Sequence, residues 1–99
     1  MSAKSKVFGG CTDGRNRLIV AAASMPKAHA AVAEVDPTIS LYSMRMYWTE
    51  THNDTELQTA TAEPGRVFVQ PRQRGDYVPV RTLQEFFAAT RAPKPEPTP

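Results

Sequence analysis

The chain has 99 residues, of which 40 % are hydrophobic and 22 % charged, with a formal net charge of +2 at pH 7. This composition is typical of one small globular domain, and it excludes a wholly disordered chain. The longest apolar run, Leu18 to Ala23, is too short to span a membrane, and a single cysteine excludes an internal disulfide, which fits a reducing cytosol.

Residues 6–23 are predicted to form a β-hairpin. Turn-forming residues at 12–16 separate two strand-forming stretches, the second of which contains Leu18, Ile19 and Val20. Gly9 and Gly10 lie inside the first strand. They indicate either a β-bulge or a position where another part of the chain, or a ligand, comes close.

Two helices are predicted next. Ser24 is a suitable N-cap for the first, and Asp36-Pro37 would end it. Residues 38–49 are ambiguous, because their large apolar side chains fit helical spacing and strand alternation alike. A possible cap at Ser40 favours the helix, with strand as the alternative.

The second half of the chain contains two capping boxes. Asn53 with Glu56 predicts a short helix through Ala62, and Thr82 with Glu85 predicts a last helix. Between them, residues 67–69 predict a short strand, which Pro71 suggests lies at a sheet edge. Residues 70–75 form an arginine-bearing loop.

These elements predict a single α+β domain over residues 6–91. A small antiparallel sheet, made of the hairpin and the strand at 67–69, would be covered by three or four short helices. Residues 1–5 are expected to be a flexible N-terminus. The proline-rich segment 92–99 is expected to be a disordered tail, because it has little to bury.

Five arginines are candidates for binding a partner or an anion. If the hairpin and the later strand share a sheet, these arginines could form one rim, with guanidinium forks suited to phosphate or carboxylate. The alternative is a solvated surface that keeps a small protein soluble. The five are Arg15, Arg17, Arg66, Arg72 and Arg74.

The segment from Leu41 to Trp48 is a candidate for protein contact. Its methionines would adapt to a partner surface, although the interpretation that they belong to the core is favoured. Tyr42 and Tyr47 lie partly off the apolar stripe and are better candidates for exposed contacts, together with Arg45.

Residues 27–48 also invite a helix-turn-helix interpretation, in which the second helix would read DNA. The charge of the chain opposes it. Residues 34–63 hold six acidic side chains against Arg45 alone, while the segments on either side are net basic. An acidic middle segment would be repelled by the phosphate backbone. A nucleic-acid-binding regulator therefore remains the second hypothesis.

Nothing in the chain indicates catalysis. No catalytic or phosphate-binding motif is present, and Cys11, His29 and His52 are too scattered in sequence to suggest a metal site. Both histidines are better explained as structural residues. We therefore expect no enzymatic activity, no catalytic residue, no metal and no cofactor.

Several glycine, cap and strand-end motifs resemble those of a family of small uncharacterised proteins from bacteriophages and prophages. The match covers about residues 7 to 69 and includes Phe-Gly-Gly at 8–10, Arg-Leu-Ile-Val-Ala-Ala at 17–22 and Pro-Gly-Arg-Val-Phe at 64–68. The resemblance implies a phage accessory protein in the host cytoplasm that inhibits or sequesters a bacterial host or defence component. It supplies no catalytic residue.

Overall fold

The computed structural model describes residues 6–11 and 15–90, which form an α+β fold with five strands and four α-helices. The strands are β1 (Lys6–Cys11), β2 (Arg17–Ala22), β3 (Thr49–Glu50), β4 (Val67–Gln70) and β5 (Val78–Val80). The helices are α1 (Met25–Ala33), α2 (Leu41–Tyr47), α3 (Asp54–Thr61) and α4 (Leu83–Thr90), and a 3₁₀ turn spans Pro71–Gln73. The predicted fold class is therefore confirmed.

The strands form one antiparallel sheet in the order β3-β1-β2-β4-β5. The hairpin and the strand at 67–69 share this sheet, as predicted. The prediction that this strand lies at an edge is wrong, because β4 pairs with β2 on one side and β5 on the other. Pro71 lies just beyond β4, so its missing amide costs the sheet nothing, and it is Pro79 that sits in an edge strand.

Helices cover both faces of the sheet. Side chains alternate between the faces along each strand, and Leu18, Val20 and Val69 point to the side covered by α1, α2 and α4. Ile19 and Phe68 point to the opposite side, where α3 packs. We call these two sides the three-helix face and the α3 face.

The two glycines of β1 mark close approaches. A Cβ atom at Gly10 would lie 2.5 Å from the indole ring of Trp48, and one at Gly9 would lie 2.5 Å from the guanidinium group of Arg17. The pairing of β1 with β2 runs without interruption from Lys6 to Cys11, so no bulge is present there. Of the two alternatives for Gly9 and Gly10, close packing is the one observed.

The predicted helix caps are present. The side chains of Ser24, Ser40 and Asn53 each accept a hydrogen bond from a backbone N–H in the first turn of α1, α2 and α3. The ambiguous segment 38–49 is a helix only up to Tyr47. Trp48 leaves it with extended backbone angles, φ −94° and ψ 144°, and leads into β3.

Three expectations concern residues outside this description. The N-terminus 1–5, the tail 92–99 and part of the hairpin turn, at 12–14, lie beyond the described ranges. Within those ranges, no helix has the length and apolar character needed to cross a membrane.

Candidate functional site

The structure brings three of the five candidate arginines to one end of the sheet. The carboxamide oxygen of Asn16 accepts a 2.9 Å hydrogen bond from the backbone N–H of Arg72, which joins the hairpin end to the turn after β4. The side chains of Arg15, Arg72 and Arg74 are all exposed at this end. We call these three residues the arginine end.

The turn at the arginine end has an unusual backbone. Arg72 and Gln73 both adopt positive φ angles, 56° and 59°, which residues other than glycine rarely do. The hydrogen bond between Asn16 and Arg72 helps to hold this conformation. The turn is therefore a defined structure, and it places Arg72 and Arg74 at the same end of the sheet as Arg15.

The other two arginines do not belong to this group. Arg66 precedes β4, at the opposite end of that strand from Arg72, and forms an ion pair with Glu63 at 3.2 Å. Arg17 lies on the α3 face, where its Nε and one terminal nitrogen donate to Glu56 at 2.5 and 3.0 Å. A single rim of five arginines is therefore not formed.

Glu56 is the centre of a buried polar network, and its side chain is only 6 % exposed. Its Oε1 accepts from the hydroxyl of Thr51 at 2.6 Å and from Arg17, while its Oε2 accepts from Arg17 and from the hydroxyl of Tyr77. Four donors from three separate segments thus converge on one carboxylate. The network ties α3 to β2 and to the segments before β5 and after β3.

The predicted capping box at α3 is only half formed, because the Glu56 side chain belongs to this network. Asn53 caps the helix by accepting from the backbone N–H of Glu56 at 3.1 Å. The Glu56 side chain does not return to the N–H of Asn53, as a capping box requires. It turns into the sheet instead, and the Asn53 N–H donates to the hydroxyl of Thr51 at 3.2 Å.

The network strongly shifts the ionisation of its members. Burial alone would raise the pKa of Glu56, but the hydrogen bonds from Arg17, Thr51 and Tyr77 outweigh it and lower the pKa from 4.5 to about 2. The hydrogen bond to Glu56 also raises the pKa of Arg17, against the effect of burial. Burial, helped by the hydrogen bond to Glu56, raises the pKa of Tyr77 to about 12.

These shifts fix Glu56 as a carboxylate and Tyr77 as a neutral phenol at neutral pH. A general acid or base works best with a pKa near the operating pH, and both groups are far from it. Each Glu56 oxygen already accepts two hydrogen bonds from protein donors. The chemistry of the network is therefore that of a structural ion pair.

The outer face of α2 carries exposed apolar side chains. Tyr42 is 72 % exposed, Met46 57 % and Tyr47 75 %, while Met44 of the same helix is fully buried in the core. Arg45 is exposed beside them. The expected exposure of Tyr42 and Tyr47 is confirmed, and Met46 joins them although the sequence did not single it out. We call Tyr42, Arg45, Met46 and Tyr47 the α2 surface.

A cavity of about 260 Å³ opens next to the α2 surface. The end of β1, the loop between α1 and α2 and one side of α2 form it. Its lining residues are Cys11, Asp36, Thr38, Ile39, Ser43, Tyr47 and Trp48. Tyr47 belongs both to the cavity and to the α2 surface, so the two features are continuous.

The fold gives His29 a structural role, as expected, and it indicates no role for His52. His29 Nε2 donates to the carbonyl oxygen of Ile39 at 3.0 Å, which ties α1 to the following loop, and His52 is exposed. Within residues 6–11 and 15–90, no three His, Cys, Asp or Glu side chains are grouped closely enough to hold a metal ion.

Comparison with known proteins supplies no relative. No family model, curated protein or solved structure matches the chain.

Proposed function

We propose that this chain is a non-enzymatic binding protein that uses the α2 surface to contact a partner protein. The observation that supports the proposal most is the exposure of Tyr42, Met46 and Tyr47 on one short helix. Tyrosine, methionine and arginine are enriched in protein interfaces, and tyrosine and arginine are frequent hot spots. The target we propose is a bacterial host or defence component, in line with the resemblance to phage accessory proteins.

The core explains why these side chains are available. Met44 occupies the buried side of α2 together with Trp48, which packs against Gly10 of β1. Residues 42, 46 and 47 lie on the remaining circumference of the helix, so their exposure follows from how α2 is anchored. Neither Tyr42 nor Tyr47 belongs to a core cluster, so the packing of the core does not depend on their rings.

The arginine end supports a second candidate, an anionic ligand such as a nucleic acid. Arg15, Arg72 and Arg74 would contact phosphates, and the defined turn would present them together. This surface differs from the predicted helix-turn-helix. In that motif α2 would be the helix that reads DNA, but it offers a single basic residue, Arg45. Asp36, in the loop before α2, would repel the phosphates.

Site-specific photo-crosslinking in bacterial cells tests the two candidates together. A benzophenone amino acid would replace Tyr47 on the α2 surface, Gln73 at the arginine end or Gln58 on the exposed side of α3. We expect a protein adduct of one defined mass from position 47 and none from position 58.

The three positions also distinguish the outcomes. A nuclease-sensitive adduct from position 73, with no adduct from position 47, would favour the second candidate. Equal protein labelling from positions 47 and 58 would indicate non-specific contact and would contradict the proposal, as would the absence of any adduct from position 47.

A further inference from the structure

The described lining of the cavity beside the α2 surface carries a negative charge. Asp36 is the one formally charged side chain among the described lining residues, which otherwise provide the hydroxyls of Thr38, Ser43 and Tyr47, a thiol, an aliphatic chain and an indole ring. Arg45 is two residues from both Ser43 and Tyr47. At about 100° per residue, the helix directs it away from the side of α2 that lines the cavity. Asp36 also forms no ion pair with any described basic residue.

The wall that carries Asp36 is held by several hydrogen bonds. Asp36 Oδ1 accepts from the backbone N–H of Thr38 at 3.1 Å and from its hydroxyl at 2.5 Å. The Ile39 N–H donates to the backbone carbonyl of Asp36 at 3.1 Å, and the Ile39 carbonyl accepts from His29. The carboxylate is therefore positioned before any ligand arrives, which reduces the entropy cost of binding.

The remaining lining completes a site for a positive charge. Tyr47 is at the opening and Trp48 lies deeper, where it is only 4 % exposed. Aromatic rings attract cations through their π electrons, and a carboxylate supplies a charge-assisted hydrogen bond. The hydroxyls of Thr38 and Ser43 can accept further N–H donors. A cavity of this size has room for the end of a long side chain.

We propose that this cavity receives a lysine or arginine side chain of the partner protein that binds the α2 surface. The inference rests on the proposed function, since it names the chemistry of one partner residue at that surface. Charge complementarity supports this inference. The segment 36–50 supplies every described lining residue except Cys11, and it holds Asp36 and Glu50 against Arg45, so it favours the approach of a basic partner.

The test uses small probes and needs no partner. N-acetyl-arginine methylamide and N-acetyl-lysine methylamide would each be titrated into the ¹⁵N-labelled protein at constant ionic strength. Neutral N-acetyl-citrulline methylamide, which has nearly the shape of the arginine probe, is the matched control. We expect saturable NMR shift changes at Thr38, Ser43, Tyr47 and Trp48, with a Kd on the order of millimolar for at least one cationic probe.

Two variants of equal net charge identify the group responsible. Asp36→Asn removes the charge but keeps an oxygen that can accept from Thr38, so the loop should be preserved. It should weaken binding of the cationic probe at least about tenfold, as expected for loss of a hydrogen bond to a charged group. Glu34→Gln changes an exposed acid that lines a separate groove, and it should leave binding unchanged.

Several results would overturn the inference. They are equal binding of the citrulline probe, an unaltered affinity in Asp36→Asn, shift changes centred away from the cavity, or no saturation with either cationic probe up to about 50 mM, well above the expected Kd. Such results would leave the crosslinking test of the α2 surface valid. A failure of that crosslinking test would in turn leave the measured affinity of the cavity for a cation unaffected.

Discussion

Replacing Glu56 with alanine is expected to destabilise the fold by about 3–5 kcal/mol, the usual cost of breaking a buried ion pair by removing one partner. Without the carboxylate, the half-buried guanidinium of Arg17 and the hydroxyls of Thr51 and Tyr77 lose their shared acceptor. Domains of this kind are usually stable by about 5–15 kcal/mol, so the variant could be largely unfolded at elevated temperature. Denaturant titration followed by circular dichroism measures the loss.

The chain offers a matched control for this change. Glu63 also forms an ion pair with an arginine, Arg66, but its side chain is 53 % exposed. Glu63→Ala should therefore cost less than about 1 kcal/mol, as exposed pairs do. A similar small loss in Glu56→Ala and Glu63→Ala would show that the network around Glu56 does not stabilise the fold.

Acidification should remove the contribution of Glu56 in a defined range of pH. The pKa of Glu56 is about 2 in the fold and about 4.5 when unfolded, so the unfolded chain takes up the proton first as the pH falls. The stabilisation is complete above pH about 4.5 and is lost as the pH falls through about 2. At about 1.4 kcal/mol per pKa unit, it amounts to about 3 kcal/mol.

A comparison of two proteins isolates this effect from other acidic groups. The free energy of unfolding would be measured for the wild type and for Glu56→Gln between pH 7 and pH 2. The advantage of the wild type should be largest at pH 7 and should shrink steadily below pH about 4.5. A difference that stays constant over this range would mean that Glu56 has an ordinary pKa in the fold.

Alkaline pH should act on the same network through Tyr77. Its pKa of about 12 exceeds the ordinary value of 10, so the neutral phenol stabilises the fold below pH about 10 and its contribution is lost as the pH rises through about 12. Tyr77→Phe should lack this part of the alkaline decline, which the same unfolding measurements would detect.

The sequence predicted much of the fold because the signals were local. Caps at Ser24, Ser40 and Asn53 correctly located three helices, and the hairpin followed from turn residues between apolar stretches. Two strands were missed. β3 has only two residues and β5 contains Pro79, so neither has the length or alternation that identifies a strand.

The candidate site was harder to predict, because its contacts are distant in the chain. Arg17 and Glu56 are 39 residues apart, and Arg17 was predicted to bind an anionic group on a partner rather than a residue of its own fold. The Asn53 capping signal did identify Glu56, but only as a helix-start residue. The cavity likewise depends on how the α1–α2 loop packs beside β1, which no local pattern encodes.

The sequence predicted the exposure of the tyrosines of α2 correctly, but it predicted the grouping of the arginines only in part. Tyr42 and Tyr47 were correctly expected at the surface, since they fall off the helical stripe that contains Met44. The placement of Arg15 at the same end of the sheet as Arg72 and Arg74 required the hairpin and the later strand to share one sheet, and that was correctly expected. Arg66 lies at the opposite end of β4 from Arg72, so it cannot belong to the same group of arginines. The prediction of a single rim overlooked this.

The most direct test of the proposed binding function is the affinity of the purified protein for the partner captured from position 47. Calorimetry would compare the wild type with the double variant Tyr42→Ala/Tyr47→Ala and with Phe87→Ala, which removes an exposed aromatic ring on α4 instead. We expect the double variant to bind at least about tenfold more weakly, since truncating interface hot spots usually costs more than 1 kcal/mol each. Phe87→Ala should bind like the wild type. Unchanged affinity in the double variant, or an equal loss in Phe87→Ala, would contradict the proposal that the α2 surface is the binding site.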